Sequence, residues 1–222
     1  MKSNIIFSIL LSLIFVTVPA SAQTSLTPAI TLSDEVLKRP VRQWVIEKDD
    51  TLTMLLTYSF MQAKVPGGVV YSTGFDQKTR IKIHPTSLAL RDVLDSIVAV
   101  APGYRWEFGG GVVNLLPTEG CPPLLHTFLA EFHQERATVR DMVEALELSP
   151  EVHRQAAALG FGQQGSFYDG PVNTETFSVN CKNATVFEIL NEIARVSRKA
   201  VWSYSEHTRS GKKYFRLSVL YS

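Results

Sequence analysis

The feature that most constrains this chain is that it rewrites itself at a constant offset of 96 residues. Asp92-Val93-Leu94-Asp95 is answered by Glu188-Ile189-Leu190-Asn191, Ile97 by Ile193, Trp106 by Trp202 and Phe108 by Tyr204. Upstream, Ile81 and Ile83 are answered by Phe177 and Val179. A single periodic element can match by chance. A strand, a helix and a Trp-bearing hairpin matching at one offset point to a duplicated structural unit.

The hydrophobic periods show what that unit contains. Residues 42–47 have strand character around Trp44 and Ile46, and Asp49-Asp50-Thr51 offers capping oxygens. Leu52, Leu55, Leu56 and Phe60 follow at helical spacing until Pro66-Gly67-Gly68 breaks the helix ahead of Val69-Val70-Tyr71. Residues 80–84 alternate as a half-buried strand does. Leu90, Val93, Leu94, Ile97 and Val98 mark a second amphipathic helix that stops at Pro102-Gly103. Tyr104, Trp106 and Phe108 then alternate, Gly109-Gly110-Gly111 turns, and residues 112–116 return as a hairpin. In the second half Thr138…Asp141 and Thr185…Glu188 are both capping-box spacings, giving each helix start a hydroxyl for its free amides. The expected fold is α+β: two tandem small modules of β-α-β-β-α-β type, each with two helices packed on a small mixed sheet. Residues 42–117 form the first module, 118–123 a linker, and 124–222 a second, divergent module with a Gly-rich insertion at 160–170. Residues 23–41, rich in Ser and Thr with Pro28 and Pro40, form a loosely ordered leader.

The first 22 residues carry an address. Lys2 precedes an apolar run of 14 residues over 5–18, and Pro19-Ala20-Ser21-Ala22 closes it with the small-x-small pattern that a signal peptidase reads. A membrane span needs about 20 apolar residues, so the run predicts a cleaved signal peptide, with cleavage after Ala22. No cysteine stands at the new terminus to take a lipid. No second apolar stretch is long enough to span a bilayer. The expected location is periplasmic or secreted, without an integral membrane span after cleavage. The charge balance of 22 Lys+Arg against 21 Asp+Glu gives no phosphate-coating surface, which argues against nucleic acid as a partner.

The first module's run of "Thr-Leu-x-x-Leu-Leu" helix, strand pair, "Leu-x-Leu-Arg-Asp-Val-Leu-Asp" helix and "Gly-Tyr-Arg-Trp-Glu-Phe…Gly-Val-Val-Asn-Leu-Leu-Pro" hairpin resembles the secretin and TonB short N-terminal (STN-like) domain. The resemblance covers residues 42–117 well and 175–220 in the second module, with 124–174 more divergent. Members of that family precede an outer-membrane secretin or a TonB-dependent barrel, neither of which lies in these 222 residues. What the resemblance implies is envelope localisation and docking to other proteins. It implies no individual binding residues.

A search for chemistry finds no Gly-x-Ser-x-Gly elbow, phosphate-binding loop, dinucleotide fingerprint or His-Glu-x-x-His helix. Ser210-Gly211-Lys212-Lys213 matches only the tail of a phosphate loop and is expected to be a solvated hairpin turn. His84, His126, His133, His153 and His207 are scattered, without the close pairs that zinc sites use. No catalytic residue, metal or cofactor is therefore expected, and the chain is not expected to be an enzyme. Trp44, Trp106 and Trp202 fall among apolar strand residues, where core packing accounts for them. Cys121 and Cys181 are a candidate disulfide in an oxidising compartment, closing a 61-residue loop. Such closure contributes about 4 kcal/mol in the chain-entropy treatment. The alternative, that Cys181 is a small buried side chain, stays open on sequence grounds. Phe161, Phe167 and Tyr168 in the Gly-rich segment are candidate partner contacts. Together these readings describe an exported, non-catalytic adaptor that docks to an outer-membrane or secretion/uptake component. The alternative is a periplasmic small-molecule or glycan-binding protein.

Overall fold

The computed structural model describes residues 35–42, 52–71, 89–162 and 174–220. The expected signal peptide, the strand at residues 80–84 and all but Arg42 of the strand at 42–47 lie outside them, as do Trp44, His84, Phe167 and Tyr168. Within them the fold is mixed α+β, as expected. The helices are α1 (Leu52–Ala63), α2 (Leu90–Val100), α3 (Val139–Glu147), α4 (Pro150–Ala158) and α5 (Val186–Ser197). The strands are β1 (Gly67–Val70), β2 (Tyr104–Gly109), β3 (Val112–Pro117), β4 (Phe128–Ala137), β5 (Phe177–Thr185), β6 (Val201–Arg209) and β7 (Lys212–Leu220). No helix among the described residues is long and apolar enough to cross a membrane.

The expectation of two modules, each with its own small sheet, is not met. Strands from both halves join in one five-stranded sheet of order β2-β3-β1-β6-β7. The antiparallel hairpins β2–β3 and β6–β7 flank β1, which runs parallel to β3 on one side and to β6 on the other. The physical reason lies in β1 itself. It is only Gly67-Gly68-Val69-Val70, and all four residues are buried. A buried strand must satisfy its backbone groups on both edges, and here one neighbour, β3, comes from the first half and the other, β6, from the second. The remaining strands, β4 and β5, form a separate antiparallel ribbon.

Alternation along the strands loads both faces of the sheet. Val69, Val113, Leu115 and Val201 pack on one face with Leu52, Leu55, Leu56 and Phe60 of α1 and Leu90, Val93, Leu94 and Ile97 of α2. Val70, Val112, Leu116, Trp202, Tyr204, Leu217 and Val219 pack on the other with α5 and α3. Both expected capping boxes form. Thr138 and Thr185 accept from the amides of Asp141 and Glu188, and the two carboxylates reach back to the cap amides. The ribbon strands β4 and β5 therefore each feed directly into a helix.

The repeat is a repeat of geometry. The Trp106 indole N–H donates to Asp95 Oδ1 at 2.8 Å, and the Trp202 indole N–H to Asn191 Oδ1 at 3.0 Å, so each hairpin is tied to its helix by the same bond. Leu90, Val93, Leu94 and Ile97 of α2 and their counterparts Val186, Ile189, Leu190 and Ile193 of α5 are all buried. The two helix-hairpin units lie on opposite faces of the sheet, and β2 and β6 run in opposite directions.

Gly68 sits where the units meet. A Cβ built on it would lie 2.3 Å from the Trp202 ring and 2.4 Å from Asn114 Oδ1. Gly68→Ala is therefore expected to destabilise the protein by about 1–3 kcal/mol through overpacking, whereas Gly103→Ala, which meets nothing within 4 Å, should not. Denaturant unfolding followed by Trp fluorescence separates the two. The cap at α5 makes a second prediction. The Thr185 amide at 2.8 Å and its hydroxyl at 2.9 Å hold the Glu188 carboxyl below its ordinary pKa. A depressed folded pKa contributes stability that is complete above the unfolded value and lost as pH falls through the folded one. Glu188→Gln should thus lower the melting temperature at neutral pH, and the deficit should close on acidification. A deficit that persists at low pH would exclude the carboxylate as its origin.

Candidate partner-contact site

The segment singled out for partner contact begins in a defined geometry. Helix α4 ends in a Schellman motif: the Gly160 N–H donates to Ala157 O at 3.0 Å, and the Phe161 N–H to Ala156 O at 2.9 Å, with Gly160 at φ +76°. This turns the chain onto the outer edge of β7. There the Gly162 N–H donates to Lys213 O at 2.7 Å, and Phe161 and Lys213 form a parallel bridge. Phe161 packs edge-on against Phe215, with centroids 5.6 Å apart, and is half-buried. It is therefore chiefly an anchor of this segment. Of the three candidate contact residues it is the one within the described residues, and part of its ring is exposed.

Beside the anchor, the β6–β7 hairpin presents a mixed aromatic and basic surface. Ser210 and Gly211 form its two-residue turn, both with positive φ (+52° and +75°), the conformation that matches the twist of the flanking strands. The cross-strand register sets His207 opposite Tyr214, and their rings stack at 5.6 Å. Gly162 lies against the same tyrosine, where a Cβ would come within 2.9 Å of the ring. His207, Arg209, Ser210 and Tyr214 line an open concavity of about 270 Å³. Exposed Lys212, paired across the turn with exposed Arg209, and exposed Lys213 on the opposite strand face add cations at the hairpin tip. These are donors, cations and ring faces, a set suited to gripping carboxylates and extended chain. The solvated turn expected at residues 210–213 is present, but the grouping around it was not anticipated. Pairing outward from a two-residue Ser-Gly turn is the signal that sets His207 against Tyr214.

The other predicted residues do not gather here. Cys121 and Cys181 are free thiols, so the expected disulfide is not formed. Cys121 follows β3, and its charged neighbours are Glu107 and Arg105; Cys181 is on β5 beside Glu192, Glu188 and Arg195 of α5. Burial raises both thiol pKa values, aided by the nearby carboxylates and opposed by the arginines. Trp202 is buried and Trp106 half-buried. His126, His133 and His153 are exposed and apart, and no metal-binding group occurs among the described residues. At the sheet centre, burial and a 2.7 Å hydrogen bond donated to Glu206 raise the Tyr204 hydroxyl far above its usual pKa.

Comparison with known protein families, with characterised proteins and with solved structures returns no match.

The thiols provide the check on this subsection. Two free thiols are expected on denaturation without reductant. In the native protein their modification should be slow at neutral pH and accelerate above the ordinary thiol value. Finding none on denaturation would restore the disulfide.

Proposed function

We propose that the protein is an exported, non-catalytic adaptor of the cell envelope that holds another envelope protein at the β7 end of its sheet. The observation that carries this reading is the combination there of an outer strand edge with a basic, aromatic hairpin tip. The edge of β7 already takes up extended chain, in the Gly162 N–H bond to Lys213 O of its own Phe161–Gly162 segment; strand edges recruit further chain through main-chain hydrogen bonds, and side-chain groups beside them select which chain. Arg209, Lys212 and Lys213 favour an acidic segment. The signal-peptide pattern at residues 1–22 and the resemblance to secretin and TonB short N-terminal domains support the location and the docking role.

The small-molecule or glycan alternative has less to stand on. A glycan platform wants exposed indoles; among the described residues Trp202 is 1% exposed, and Trp106 is half-buried with its N–H committed to Asp95. The concavity of about 270 Å³ falls below the range of about 300–1,000 Å³ typical of ligand pockets.

The test is crosslinking in cells with the tagged protein, followed by recovery from the envelope fraction, comparing the parent with Arg209→Glu/Lys212→Glu/Lys213→Glu. A discrete crosslinked envelope protein should be recovered with the parent and lost with the charge-reversed variant at equal protein level. Recovery of nothing above background, or equal recovery with both, would sink the proposal.

A further inference from the structure

We propose that the concavity at the tip of the β6–β7 hairpin is a socket for one carboxylate side chain of an extended acidic segment, and that Gly162 positions its wall, Tyr214. The inference rests on the reading of this hairpin as the contact site and deepens it. The partner is gripped by a side chain on the sheet face, beside the strand edge that the protein's own segment already pairs.

The strand pleat decides which groups the socket contains. His207 and Arg209 project from one face of β6, and the register sets Tyr214 and Lys212 opposite them, so all four share that face. Lys213 projects from the other face, and its carbonyl is taken by the Gly162 N–H. With Ser210 of the turn, His207, Arg209 and Tyr214 line the concavity of about 270 Å³. That is small for a whole ligand and suited to the end of one side chain. Each lining side chain can donate a hydrogen bond, and none is a carboxylate.

The charge pattern identifies what the socket takes. Arg105, Arg154 and Arg195 each pair with a glutamate two or three residues away, namely Glu107, Glu151 and Glu192. Arg209 and Lys212 make no ion pair among the described residues. The acid closest to them in β6, Glu206, lies on the opposite face of the strand, where it accepts the Tyr204 hydroxyl. The tip therefore presents cations whose counter-charge must come from outside. A phosphate site draws on helix amides or a cluster of arginines. Here one guanidinium stands beside an imidazole and two hydroxyls, and its planar fork matches the two oxygens of one carboxylate.

Tyr214 is held by two neighbours. His207 stacks on it, with centroids 5.6 Å apart and planes inclined by 22°. Gly162 lies along the ring edge, where a Cβ would stand 2.9 Å from Cε1 and 3.4 Å from Cδ1. Gly162 is not among the residues with positive φ, so its backbone would accept a side chain. What excludes one is the ring. An alanine at this position displaces Tyr214, and with it the stacked imidazole, while leaving Arg209 in place. Gly162 is thus a positioning residue that acts through Tyr214.

The experiment is titration of the purified, isotope-labelled protein with a capped peptide of three Thr-Glu repeats, read by the amide shifts of residues 205–216. A peptide of three Thr-Gln repeats and inorganic phosphate are the controls. The glutamate peptide should give saturable shifts centred on His207, Arg209 and Tyr214, and the glutamine peptide should bind about tenfold more weakly. Arg209→Gln should abolish saturation. Gly162→Ala should weaken binding about tenfold at an unchanged melting temperature, and the ring-current shifts of His207 and Tyr214 should move in its free form. The spectrum of each variant reports its fold, and the titration of the unaltered protein stands even if a variant misfolds. Shifts confined to other residues, equal affinity for the glutamine peptide or for phosphate, or a Gly162→Ala protein that binds as tightly as the parent would overturn the proposal. If an envelope protein is captured in cells but no peptide shift occurs at 205–216, the socket fails and the adaptor reading stands. If the peptide binds here and nothing is captured, the adaptor reading fails alone.

Discussion

The architecture depends on one close approach: the indole of Trp202 lying over Gly68. Without a side chain at that position, the backbone of β1 can come near enough to β6 for both to share a sheet, and the Trp ring fills the volume a side chain would have taken. From this follows the placement of β1 between the hairpins, with its backbone groups satisfied on both edges. From it also follows the split of the core into two layers, since successive residues of one four-residue strand, Val69 and Val70, enter opposite clusters. Asn191 completes the arrangement by accepting the indole N–H. The ring is thereby held by a helix above and a glycine beside it.

Much of this was legible from residue patterns. The helices at Leu52 and Leu90, the Gly-Gly hairpin turn, the capping boxes at Thr138 and Thr185 and the equivalence of Trp106 with Trp202 all rest on local rules, and all are present. What the patterns did not convey was how the halves combine. Hydrophobic alternation within β1 and β6 is the same whether they lie in one sheet or two, so strand periodicity carries no information about the partner. In the sequence the decisive residue, Gly68, stands in a Pro-Gly-Gly run that signals only the end of a helix. Its real role emerges only when an indole from the distant half is set beside it.

The contact site was legible in a weaker sense. The Gly-rich segment stands out by composition, and its first residues do reach a sheet edge, where a Schellman motif directs Phe161 onto Phe215. The Gly160 that sets this turn was visible; the target of the turn was not. The cysteines illustrate the same limit. Compartment and count favoured a bridge, yet one thiol follows β3 and the other faces α5, an arrangement that spacing along the chain does not encode.

The central position of β1 also bears on the order in which the protein can assemble. Its two neighbours lie at very different distances along the chain: β3 follows β1 by about 40 residues, whereas β6 follows it by more than 130. Until that strand arrives, the first half carries an open edge and a glycine with no ring over it, so its sheet cannot be completed by local contacts. Pairings between distant segments are slow to form. The sheet of a chain built this way stays incomplete until β6 is present, so its first half cannot reach its final packing alone.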